Sequence, residues 1–133
     1  QTTSFKRELY EGVHDLTSYV LMMALYTAEA DLGPETTEYV ADGEVVGDGY
    51  VAGGLMVSGV VVGAEDGTAY VGFDSVSWPA ATLTCRGALL YNASKGNRAI
   101  AVLNFGADKV VSGQTLTVTV PAATASTALI RMT

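Results

Sequence analysis

The chain has 133 residues, 49% of them apolar and 16% charged, with a formal net charge of −7. That length suits one domain with a sizeable core, and the low charge with abundant apolar residues does not suit a disordered chain. The acidic balance argues against sequence-independent nucleic-acid binding, no apolar run reaches the length of a membrane span, and a lone Cys85 excludes an internal disulfide framework or a thiolate metal cage.

The charge is unevenly placed. Thirteen acids and no Lys or Arg lie from Glu8 to Cys85, whereas five basic residues and one acid, Asp108, follow from Arg86 onward. The first reading is a solvated acidic face; a basic partner surface, or head-to-tail packing of copies, is the alternative.

Residues Ser4 to Leu16 predict a helix, with Phe5, Leu9, Val13 and Leu16 on one stripe and Thr3 or Ser4 as the cap. Lys6 and Arg7 then fall in the first turn and Glu11 and Asp15 near the end, against the helix dipole. This misfit is read as a sign that packing holds the helix and that its basic turn meets an acidic partner. Gln1 in place of Met is expected to be a processed start. Ser18 to Thr27 is apolar at both alternating sets of positions, which predicts a strand buried on two faces. Residues 28–54 hold seven acids, Pro34 and many glycines, and read as a long acidic loop with short strands at Tyr39 to Ala41 and Val45-Val46. Asp42, Glu44 and Asp48 near glycines invite a calcium reading, but the spacing misses the EF-hand pattern, and a solvated loop is preferred.

Leu55 to Ala64 is predicted to turn at Glu65-Asp66-Gly67 into a second strand, Thr68 to Asp74. Ser75 to Pro79 reads as a corner carrying Trp78. A hairpin of Thr82 to Tyr91 and Arg98 to Phe105 follows around Asn92 to Asn97, then a turn from Gly106 to Gly113. Thr115 to Val120 alternates cleanly, Pro121 ends it, and Thr127 to Met132 is the last strand. The expectation is a mainly β chain: an antiparallel β-sandwich of about eight strands with one N-terminal α-helix. It is read as a single domain, 1–133, with a helical segment 1–16 and a β body 17–133.

Chemistry is hard to place. His14 is the sole histidine, off the apolar stripe, and reads as a surface residue; no nucleophile elbow, P-loop or dinucleotide fingerprint occurs. Cys85 reads as a buried, inert thiol. Tyr39, Tyr50, Tyr70, Trp78 and Tyr91 offer a sugar-stacking platform as the one binding-module alternative. No catalytic residue, cofactor or metal ligand is expected, and the chain is read as non-enzymatic.

The order of segments carries a resemblance. FKRELYEGVHDL, a strand ending in ALYT, the stretch GDGYVAGG, AYVGFDSVSW, the hairpin RGALLYNASKGNRAIAVLNFG and a final TVTVPAATASTALIRM follow one another along nearly the whole chain. In this it resembles small β-rich structural proteins of tailed bacteriophage virions. The resemblance implies a virion component assembled in the host bacterial cytoplasm. Its foremost role is a capsid cement or decoration protein on the major capsid shell. The alternatives are a tail or neck ring protein (tube, adaptor or fibre-attachment) or a glycan-binding surface module. The partners implied are other virion proteins, in a homo-oligomer or symmetric array, with no nucleic acid and no membrane. The contacts expected are Phe5, Lys6, Arg7 and Leu9 of the helix and Tyr39 and Tyr50 of the loop.

Overall fold

The computed structural model describes residues 1–132. One helix, α1 (Thr3–Tyr10), precedes seven strands: β1 (Leu21–Tyr26), β2 (Leu55–Met56), β3 (Val61–Glu65), β4 (Thr68–Gly72), β5 (Val76–Asn92), β6 (Arg98–Val118) and β7 (Ile130–Met132). The strands form two antiparallel sheets, ordered β2-β1-β5-β6 and β3-β4-β7. The chain is mainly β, as expected.

The helix is shorter than its apolar stripe suggested, and the cause is Gly12. At φ +74° it closes a left-handed cap, with Gly12 N–H donating to Leu9 O (3.2 Å) and Val13 N–H to Glu8 O (3.0 Å). At the other end Thr2, not Thr3 or Ser4, is the cap: its Oγ1 accepts from Phe5 N–H at 3.2 Å, while its own N–H donates to Ile100 O at 2.9 Å. The helix start is thus tied to β6. Shortening also reduces the dipole misfit, because Arg7 now lies in the last turn, where a cation is favoured, and pairs with Glu11 at 3.4 Å on the surface, although Lys6 stays in the first turn and Glu11 is the C-cap.

The central hairpin is longer than predicted. β5 and β6 pair from Asn92↔Arg98 down to Val76↔Val118, so all of the expected corner but Ser75, and the whole turn at Gly106 to Gly113, are inside strands. Irregularities absorb the misfits: the register shifts between Trp78 and Ala81, where Ala80 takes φ +50°, and Gly106 and Gly113 take φ +77° and +62°. Residues that read as punctuation are bulges in one continuous ribbon. The Leu55 to Ala64 strand, conversely, divides into β2 and β3, one in each sheet. The short strands expected within 28–54 are isolated bridges at Glu38, Glu44 and Asp48.

The two-faced burial expected of β1 is present. Leu21, Met23 and Leu25 join the main core with Trp78, Leu83, Leu90 and Ile100, to which the second sheet contributes Ile130. Ala24 and Tyr26 face the opposite way and pack with Leu89, Tyr91 and Ala99, against which lie Ala30, Leu32 and Tyr39 of the 28–54 segment. The second sheet therefore covers one face of the larger sheet and the long loop contributes cover to the other. Each large apolar side chain so buried contributes roughly 1.5–3 kcal/mol. Trp78, expected at a corner, is buried within β5.

The loop approaches closely because its glycines allow it. Gly54 has φ +82°, and a Cβ there would collide with the carbonyl oxygen of Met23; a Cβ at Gly47 would meet that of Thr82. Gly67, at φ +81°, faces open space. Gly54→Ala is therefore expected to lose roughly 3 kcal/mol or more, since strain and collision add, whereas Gly67→Ala loses about 1 kcal/mol from strain alone. Urea unfolding of the two variants against the parent checks the difference; equal losses contradict the close-packed loop.

Candidate functional site

Two buried carboxylates, Glu44 and Glu8, organise the regions named as contact surfaces. Glu44 lies where the loop returns beside β1: Val45 N–H donates to Leu25 O (3.0 Å) and Thr27 N–H to Gly43 O (2.8 Å). Its Oε1 accepts from Tyr39 Oη at 2.5 Å, and its Oε2 accepts from Tyr50 Oη and from Gly53 N–H, the latter at 2.8 Å. Tyr50 Oη in turn accepts from Leu25 N–H at 3.0 Å. Tyr91 Oη donates to Gly53 O at 2.6 Å, Tyr26 Oη donates to Val40 O at 2.6 Å, and the Tyr39 and Tyr91 rings stack at 5.0 Å. A carboxylate in so dry a place is tolerable only because its oxygens are occupied by donors. Burial, then the bond to Glu44, pushes the Tyr39 hydroxyl up to about 12 and that of Tyr50 further, so both remain donors at any physiological pH.

Glu8 performs the matching task for the helix. Its Oε2 accepts from Arg98 Nη1 at 2.7 Å and its Oε1 bonds His14 Nε2 at 2.9 Å. Asn92 fixes the tautomer. Its Oδ1 accepts from Ser94 N–H at 3.1 Å, so its Nδ2 faces His14 Nδ1 at 3.0 Å, and Nδ1 must accept while Nε2–H donates to Glu8. His14, read from sequence as a surface residue, has a fully buried side chain against the Phe5 ring, 4.9 Å between centroids. The chain reversal at Gly12 turns it inward. Burial opposes ionisation of Glu8, but the hydrogen bonds from His14 and Arg98, with the Arg98 charge, outweigh it and hold the carboxyl below the ordinary glutamate range.

The six expected contact residues separate by exposure. Phe5 is fully buried and Tyr50 is buried with its hydroxyl on Glu44, so a partner reaches neither ring without disrupting the fold. Lys6 and Arg7 are exposed, and Leu9 and Tyr39 are half-buried. Tyr10, 89% exposed, continues the open face of α1. Val46, read from sequence as part of a short strand, and Val51, which the sequence reading passed over, stand 96% and 74% exposed on the loop. Their signal is modest: β-branched residues inside a Gly- and Asp-rich segment that no alternating pattern accounts for.

Trp78, Tyr50 and Tyr91 are buried, so the sugar-stacking platform drawn from them does not exist as an open surface. Glu44 is engaged by tyrosines rather than gathered with Asp42 and Asp48, and among the described residues no group of three or more His, Cys, Asp or Glu is arranged to hold a metal. Cys85 is buried, and burial pushes its thiol up to about 11, which leaves it protonated at neutral pH. No helix among the described residues is long and apolar enough to cross a membrane.

No family model, curated protein or solved structure matches the chain.

Because the Glu8 carboxyl is depressed in the folded state, its stabilisation is complete above the ordinary glutamate value of about 4.3 and is lost as pH falls through the lower folded value. Glu8→Gln is expected to cost about 2 kcal/mol at pH 7, discounted for the partly hydrated Arg98, and less at pH 3. Urea midpoints of both proteins at the two pH values check it; a gap independent of pH contradicts the assignment.

Proposed function

We propose that the protein is a non-enzymatic structural component of a tailed bacteriophage virion, foremost a cement or decoration protein that clamps neighbouring subunits of the major capsid shell. The observation that carries this reading is the pinned loop. A segment of 27 residues, 28–54, with little regular structure is held by Glu44, Tyr39, Tyr50 and Gly53 so that Val46 and Val51 stand in water at fixed positions. Ordering a loop in the free protein removes an entropic cost from the binding step, which is the physical use of such an arrangement. The order of sequence segments, which resembles that of virion structural proteins, supplies the kind of partner.

Docking on this reading joins the apolar tips Val46 and Val51 and the acidic residues around them to a partner surface, with the exposed Lys6, Arg7 and Tyr10 of α1 as a second contact. A standard interface buries roughly 800 Å² per partner, and many such contacts over a shell add strength without any single strong anchor. The neck or tail alternative draws on the same surfaces and on the separation of acidic and basic residues along the chain, which suits head-to-tail packing in a ring.

Locating the copies by electron cryomicroscopy of purified particles tests both. On the order of hundreds of copies across the shell is the result expected of cement, and about six or twelve at the neck or tail is that of the alternative. Val46→Asp with Val51→Asp, both at solvent-facing positions, is expected to leave folding intact and to reduce incorporation at least tenfold. Absence of the parent protein from particles overturns the virion reading, and full incorporation of the double variant overturns the loop as the contact.

A further inference from the structure

We infer that copies of this chain join edge to edge, with the outer edge of β3 in one copy pairing antiparallel to the 107–115 stretch of β6 in the next. Both are terminal strands. β3 pairs only with β4 in its sheet and β6 only with β5 in its own, and among the described residues no backbone hydrogen bond reaches β3, or residues 107–115 of β6, from the outer side. The upper end of β6 is different: Ile100 O accepts from Thr2 N–H and Ala99 N–H donates to Thr37 O, so that part of the edge is covered.

Both open edges carry apolar side chains in water. Val61 and Val62 of β3 are 53% and 54% exposed and Val110 of β6 is 70% exposed. An open, apolar strand edge is a template for another strand unless something blunts it, and neither stretch contains proline. Opposite charges are available for a pair. β3 ends in Glu65 and the turn residue Asp66, within the part of the chain that holds no Lys or Arg, while the open stretch of β6 carries Lys109 beside Asp108, whose carboxylate is held by Arg86 of β5 at 3.6 Å.

One register satisfies both observations. With Glu65 set opposite Lys109, Ala64 falls opposite Val110 and Val62 is its diagonal neighbour on the same face. The exposed Val110 is then covered by Ala64 and Val62, and Glu65 meets Lys109 on the other face; Asp66 falls opposite Asp108, whose charge Arg86 offsets at 3.6 Å. Cross-strand pairs of both kinds stabilise an antiparallel ladder. Because β3 and β6 are different surfaces, the contact is heterologous: each copy offers one edge to its neighbour on either side, and the assembly closes as a ring or continues as a filament. A single five-residue addition is small beside a standard interface, so the association of purified protein is weak and concentration-dependent. The inference rests on the two edges and not on any position in a particle.

Sedimentation velocity of the purified chain, with thermal unfolding as a folding control, tests it. The parent is expected to associate with rising concentration, and Glu65→Lys or Lys109→Glu alone is expected to weaken association about tenfold by placing like charges opposite each other. An equimolar mixture of the two variants restores it, because each mixed contact again pairs opposite charges. Val110→Lys, at a solvent-facing position, is expected to abolish association. A parent that stays monomeric up to about 1 mM overturns the inference. So does association that ignores these substitutions, or variants that fail to recover on mixing.

Discussion

The larger sheet is apolar on both faces, and that constraint shapes the rest of the molecule. A sheet in such a state needs cover on each side, yet the second sheet, β3-β4-β7, reaches only one. The 28–54 segment lies against the other, where Ala30, Leu32 and Tyr39 pack on Tyr26, Leu89 and Tyr91. Laying irregular backbone over an apolar surface leaves peptide groups in need of partners, and the Glu44 cluster provides part of the answer. Its carboxylate draws Tyr39, Tyr50 and the Gly53 amide to one point, so the segment behaves as a fixed layer.

Glu8 shows the same device where α1 meets the turn end of the hairpin. Helix α1 has eight residues, too few to stand alone in water, and is held by Thr2 on Ile100, by Phe5 in the core, and by the Glu8–Arg98 pair with His14 and Asn92 behind it. In both places an acid that reads from sequence as part of a solvated negative surface is buried and satisfied. The acidity of the first half of the chain thus has two parts: a few carboxylates that hold the fold together, and the remainder that faces solvent.

Much of the architecture was legible because it rests on local chemistry. The apolar pattern of Ser18 to Thr27 implied burial on two faces, and Asp66-Gly67 implied a hairpin turn. The failures have physical causes. Pro79, Gly106 and Gly113 are ordinary stop signals, but tertiary pairing along the β5–β6 ribbon converts them to bulges. Gly12 was a stop signal overlooked in favour of periodicity, and with it went the position of His14. The partners of Glu44 and Glu8 were not legible at all: Arg98 is 90 residues from Glu8, and only the fold brings them together. The candidate contact surface was half legible, since the loop was singled out but Val51 was not, and Val46 read as part of a short strand rather than as an exposed tip.

The central claim is that the long loop is ordered before any partner arrives. Amide hydrogen exchange on the free protein, resolved to single residues, tests it most directly. The account predicts slow exchange at Val45, Gly53 and Tyr39, whose N–H groups donate to Leu25 O, the Glu44 carboxylate and Asn97 O, comparable to the amides of β1, with Glu44→Gln accelerating all three. Exchange at these positions at the rate of an unstructured peptide, in the parent protein, contradicts it.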